Sequence, residues 1–130
     1  MFNHVFLGTN DREKSKSFYD ATMSVLGHQG VPVPSGTAYV NPEGNALVVG
    51  TPANGEPATV SNGHTLGLRA KSYDEVDRWH AAGLAAGGTC EGPPGFRANS
   101  PGNMYGAYLR DPDGNKICAY TPNVGEKGTA

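Results

Sequence analysis

Hydrophobic and polar positions change their period several times along this chain of 130 residues. "NHVFLG" (3–8) alternates as a strand does. Over 11–27, "DREKSKSFYDATMSVLG", the period lengthens, and Phe18, Tyr19, Thr22, Met23, Val25 and Leu26 form one stripe at helical spacing. Asn10 is placed to cap this helix, with Glu13 three residues on, and Gly27 to end it. A short strand is expected within 28–34. "GTAYV" and "ALVVG" then flank a turn and read as a hairpin. The order returns in the second half. "GHTLGLRA" (63–70) reads as a strand, and Ser72 with Glu75 makes a capping box. Val76, Trp79, Gly83, Leu84 and Gly87 supply a second helical stripe, and "TCE" (89–91) a weak strand. "YGAYLR" and "KICAY" close a second hairpin.

The two hairpins carry nearly the same turn, "NPEGN" from residue 41 and "DPDGN" from residue 111, 70 residues apart. In both, Pro fixes φ, the acid and amide side chains bond locally, and Gly takes the left-handed position. The chain therefore reads as a doubled unit of strand, helix and three strands: module one over 1–51, a linker over 52–62 and module two over 63–122. Residues 123–130 read as a flexible tail. Neither unit buries a sheet face alone, so each has to pack against the other or against a second copy.

Composition narrows the choice of partners. The 19 glycines and 10 prolines suit many short elements joined by tight turns. A net charge of −2 offers no footprint for nucleic acid or anionic lipid, and no apolar run approaches the about 20 residues of a membrane span. Cys90 and Cys118 are too few for a disulfide framework, so a cytoplasmic protein with reduced thiols is expected.

The doubled order, "HV" and "HT" opening the two halves, "FYDATMSVLG" and "YLRDPDGNKICAY" resemble the vicinal oxygen chelate superfamily of glyoxalases, bleomycin-resistance proteins and extradiol dioxygenases. The "AAGLAAGG" of the second helix is similar to small bacterial glyoxalase-like members. The resemblance implies an α+β fold of two βαβββ modules, whose curled mixed sheets face a central cleft. It also implies a small-molecule ligand, a homodimer, and metal ligands at the first and last strands of each module. Those points are His4, Val48, His64 and Cys118. Where this chain has Cys118 the family usually carries Glu, and Val48 offers no donor.

His4, His64 and Cys118 are thus the metal candidates. Nitrogen and thiolate donors favour zinc, with iron or nickel as alternatives. The competing reading is a cleft without metal, in which the histidines are hydrogen-bonded and Cys118 is a small apolar filler. Two functions follow. One is a divalent-metal-dependent lyase, isomerase or dioxygenase. The other is a metal-free protein that sequesters a small aromatic or amphipathic compound.

Candidate ligand contacts are Phe6, Tyr39, Val48, Arg97, Tyr105 and Tyr108. Arg97 lies in a long connection, "GPPGFRANSPGNMYG" (92–106), and suits a carboxylate or phosphate. Tyr105 and Tyr108 have odd spacing and fall on opposite faces of their strand. His80, beside Trp79, reads as structural, and His28 as a solvent-facing residue past the first helix.

Overall fold

The computed structural model describes residues 1–127. Module one runs β1 (His4–Gly8), α1 (Arg12–Val25), β2 (Gly30–Val33), β3 (Gly36–Val40) and β4 (Ala46–Gly50). Module two repeats it with β5 (Leu66–Arg69), α2 (Tyr73–Ala85), β6 (Thr89–Phe96), β7 (Tyr105–Arg110) and β8 (Lys116–Thr121). The strands form two mixed four-stranded sheets, ordered β1-β4-β3-β2 and β5-β8-β7-β6, and neither closes into a barrel. In each sheet the first strand pairs parallel with the last and the other pairs are antiparallel. The architecture is α+β, with the doubled order that the two turns predict.

Alternation along the strands sorts residues between two faces. Leu7, Tyr39, Leu47 and Val49 of one sheet, and Tyr105, Leu109, Ile117 and Ala119 of the other, turn toward the helices and are buried. They join Phe18, Tyr19 and Met23 of α1 and Val76 and Trp79 of α2 in one core that spans both modules. Burying each large side chain contributes about 1.5–3 kcal/mol. α1 and α2 lie against each other at Gly83, where a Cβ would run into Leu109 and crowd Phe18 and Thr22 at 3.3 Å.

A polar clamp sits at the same junction. The "DPDGN" turn of module two enters the β1–α1 corner of module one. The Asp113 carboxylate accepts from Thr9 Oγ1 (2.6 Å), Ser15 Oγ (3.0 Å) and the Asn10 backbone N–H (2.8 Å). Asp111 accepts from the fully buried Tyr19 hydroxyl at 2.6 Å and from Asn115 Nδ2 at 2.9 Å. Asn115 also donates to the Gly8 carbonyl at 3.2 Å. The first-copy turn reaches only its own module: Asn45 bonds Phe2 O, and Glu43 is exposed.

Several local expectations need correction. Asp11, not Asn10, caps α1, accepting from Lys14 N at 3.1 Å, while Asn10 is drawn to Ala58 and Asp113. In α2 the Ser72 cap forms, but Glu75 bonds the N–H of Lys71, one residue before the cap. Leu84 is exposed, and the buried His80 completes the stripe instead. β6 is longer than "TCE". As an edge strand it tolerates Pro93 and Pro94, and it keeps pairing with β7 across two register shifts. Within the tail, Asn123, Val124 and Gly125 bond the Tyr73 hydroxyl, and Lys127 pairs with Asp77 at 2.7 Å. The rest of the tail lies outside the described residues.

The clamp makes a paired prediction. Asp113→Ala removes three bonds across the module junction and leaves the Asn10 N–H without its acceptor, so it should lower unfolding free energy in urea by about 1–3 kcal/mol. Glu43→Ala, at the same place in the other turn, should change it by less than about 0.5 kcal/mol.

Candidate functional site

The faces turned away from the helices carry the chemistry, and the strand registers line up their residues in rows. In the first sheet one row runs Phe6, Val48, Ala38, Val31. Its counterpart in the second runs Gly67, Cys118, Tyr108, Gly92. The repeat has thus diverged into two different surfaces. Module one presents an uncharged wall, with Phe6, Val31 and Val40 exposed. Module two presents tyrosines, a thiol and cations.

On the second face Lys116, Cys118 and Tyr120 of β8 project the same way, beside Tyr108 and Arg110 of β7 and Arg69 of β5. The Tyr108 and Tyr120 hydroxyls are 2.7 Å apart, with the rings edge to face at 5.7 Å. Tyr120 lies across Gly106, where a Cβ would come within 2.7 Å of its ring, so glycine is needed there. The Tyr108 ring has Arg97 Cζ at 5.6 Å and Lys116 Nζ at 5.2 Å from its centroid, both within cation–π range.

Arg97 is held at the base of its loop. Its backbone N–H donates to Met104 O at 2.8 Å, and Ser100 bridges the turn through Arg97 O and Met104 N. The guanidinium donates to Gly95 O at 3.0 Å and Pro93 O at 2.7 Å, which folds it back over the strand. The segment expected to be one long loop is therefore partly β6, and the part that remains is a compact turn that aims Arg97.

Cys118 is buried under this group. Burial pushes its thiol up to about 11, opposed first by Lys116, then by the Tyr108 hydroxyl and Arg97. Burial and the Tyr108 hydroxyl also raise Tyr120 well above the usual tyrosine range. At neutral pH the thiol and the Tyr120 phenol are uncharged, and the side chains around them are cationic.

The structure separates the three metal candidates within one chain. His4 stands on the open face of β1, with Nδ1 2.7 Å from Asn3 Nδ2. His64 precedes β5 and lines a pocket with Arg110 and Lys116. The strand begins three residues later than the sequence suggests, at Leu66 rather than at 63. Its residues 66 and 68 turn to the core, and Gly67 stands opposite Cys118, where a Cβ would lie 3.4 Å from Sγ. Among the described residues no three His, Cys, Asp or Glu side chains are placed to hold a metal ion.

The aromatic candidates divide. Tyr39 and Tyr105 are buried on the helix side, with their hydroxyls on Asp20 (2.7 Å) and Asp77 (2.6 Å). Phe6, Val48, Arg97 and Tyr108 reach the open faces. His28 is half-buried and lines a cavity of about 210 Å³ with His4, Met23 and Leu66. His80 Nε2 lies 3.2 Å from Cys90 Sγ, and burial lowers its pKa. Lys116, Tyr120 and Arg69 were missing from the candidates, although Lys116 and Tyr120 share the alternation of Cys118.

The model of the Glyoxalase/Bleomycin resistance protein/Dioxygenase superfamily matches residues 1–119. The chain belongs to that superfamily. A glyoxalase/bleomycin resistance protein from Albidiferax ferrireducens T118 is 52% identical, with a TM-score of 0.87 over 95% of this chain and 99% of that one. A glyoxalase-related enzyme from Fulvimarina pelagi is 23% identical, with a TM-score of 0.73 over 99% and 93%. A lactoylglutathione lyase from Agrobacterium tumefaciens is 22% identical, with a TM-score of 0.63 over 93% and 92%. These last two share the fold. No curated protein matches the chain. Among the described residues no helix is long and apolar enough to cross a membrane.

The state of Cys118 can be tested directly. In Cys90→Ser, alkylation by iodoacetamide at pH 8, followed by mass spectrometry, should run at least about tenfold slower folded than in urea. The folded rate should climb toward about pH 11, since a raised thiol pKa leaves thiolate scarce below it.

Proposed function

We propose that this glyoxalase/bleomycin-resistance-like protein binds a small aromatic or amphipathic molecule without metal, on the open face of module two. The observation that carries this reading is the group Arg97, Lys116, Tyr108 and Tyr120 around Cys118. Directed polar groups stand there on an aromatic floor, as small-molecule sites require.

The uncharged face of module one, with Phe6, Val31 and Val48 in one row, supplies the opposing apolar wall. We assign that wall to a second copy in a homodimer, because it exposes Phe6, Val31 and Val40 and needs cover. Both cysteines are free, in keeping with the reducing cytoplasm. The second reading, a metal-dependent lyase, isomerase or dioxygenase, draws on superfamily membership and requires His4, His64 and Cys118 to converge.

Two measurements separate the readings. With 3-fluorotyrosine incorporated, bound ligand should shift the Tyr108 and Tyr120 resonances in 19F NMR and leave Tyr39 and Tyr105 nearly unmoved. Zinc titration of untagged protein should show no stoichiometric site. One zinc per chain, lost in His4→Ala, would transfer the assignment to the metalloenzyme. Light scattering should give about twice the chain mass of 13.5 kDa, falling toward one in Phe6→Asp.

A further inference from the structure

We infer that the ligand is an organic acid: an apolar, flat body whose carboxylate is received by Arg97 and Lys116. This deepens the binding reading of the same face and rests on it.

The argument starts from charge. The chain as a whole is slightly acidic, with a net charge of −2. Yet Arg69, Arg110 and Lys116 all stand on the open face of the second sheet, and Arg97 folds back over it. Among the described residues only one of these four has a carboxylate partner, Arg110, which pairs with Glu91 at 3.0 Å. Arg110 is the main influence on the Glu91 carboxylate, and Lys116 acts on it only weakly. The corresponding face of module one has no Lys, Arg, Asp or Glu in its rows. Cationic charge is therefore concentrated where the tyrosines are and is left largely uncompensated there.

The donors are fixed before a ligand arrives. Two of the five guanidinium N–H donors of Arg97 are used on Gly95 O and Pro93 O, which leaves three. Those two bonds and the closed turn behind them hold the plane of the guanidinium, so little side-chain entropy is lost on binding. Lys116 lies on the same Tyr108 ring and supplies a second, movable charge. The paired Tyr108 and Tyr120 hydroxyls use one hydrogen between them, so one remains to donate. A carboxylate matches this set: two acceptor oxygens for a planar fork, an ammonium and a hydroxyl. An amine would meet repulsion from each cation. A neutral ligand would leave both cations without a partner.

The apolar body follows from the other wall. Gly67 and Gly92 flank Cys118 and Tyr108 in the central row and add no side chain of their own, and Arg97 lies over Gly92, 3.2 Å from where a Cβ would stand. The facing row of Phe6, Val48, Ala38 and Val31 offers no hydrogen bond to a polar tail.

The test compares 2-naphthoate, 2-naphthamide, 2-naphthyl phosphate and a naphthylmethyl ammonium on the full chain, by calorimetry and by 19F NMR of fluorotyrosine protein. The naphthoate should bind and shift Tyr108 and Tyr120. The amide should bind roughly 10- to 100-fold more weakly, and the ammonium more weakly still. In the double variant Arg97→Gln, Lys116→Gln the preference for naphthoate over the amide should vanish. Circular dichroism and Tm should stay at wild-type values, since both side chains are outside the core. Equal binding of naphthoate and naphthamide, with both tyrosines shifted, would overturn the organic-acid inference while the ligand face stands. A preference for the phosphate that depends on Arg97 and Lys116 would replace carboxylate by phosphate. If none of the four shifts Tyr108 or Tyr120, the inference and the binding reading both fall.

Discussion

Asp113 accepts three hydrogen bonds from the opposite module, and the position of one sheet relative to the other depends on them. A carboxylate that bridges a strand end and the first turn of a helix fixes both. Thr9 and Asn10 directly follow β1, and Ser15 belongs to α1. Two residues away, Asp111 takes the phenol of Tyr19 from the middle of the same helix. The helices can then close at Gly83, where any side chain would crowd Phe18 and Thr22. The apolar core supplies most of the stability, but apolar contact is not directional. The clamp supplies direction, and the open faces inherit it, because each lies behind a sheet whose other side is held by its helix.

This gives the doubled turn a physical meaning. The two copies make similar local bonds: Asn41 and Asp111 each accept the N–H of the residue four places on. What differs is the reach of the side chain at the third position. Asp113 meets donors, whereas Glu43 meets solvent. One copy keeps only the hairpin and the other adds the docking of the modules. A repeat of this kind frees the rest of each unit to diverge, and the central rows show how far it has gone. Val48 faces Cys118 across the repeat, Ala38 faces Tyr108, and Val31 faces Gly92.

The fold was legible because periodicity and turn chemistry are local signals that survive in short segments. Both helices, the hairpins and the doubled order follow from residues within a turn or two of one another. The site was less legible because it depends on register. The sequence places His64 on one strand face with Leu66 and Leu68, but that face turns to the core, β5 starts only at Leu66, and Gly67 stands across from Cys118. A single histidine in a plausible strand cannot reveal which face is covered. Tyr39 and Tyr105 show the same limit: a tyrosine fits either face of a strand, and here an aspartate on the neighbouring helix decides. Arg97 was legible as a residue but not in its aim, which is set by carbonyls of β6 and by a turn closed from Met104.

Cys118 unites these strands of argument. At the position where relatives of this chain are expected to carry a charged donor, it has a thiol that burial keeps protonated, beneath cations that would favour its ionisation. The two influences oppose each other, and burial is the larger. An acidic side chain at that point would offset part of the charge of Lys116 and Arg97, and the face would then be less suited to an anion. A neutral one leaves both charges unspent and fills the floor between Tyr108 and Tyr120 with a small, polarizable group. The uncharged thiol therefore leaves the surface cationic, and that charge bears on the kind of molecule that can rest there.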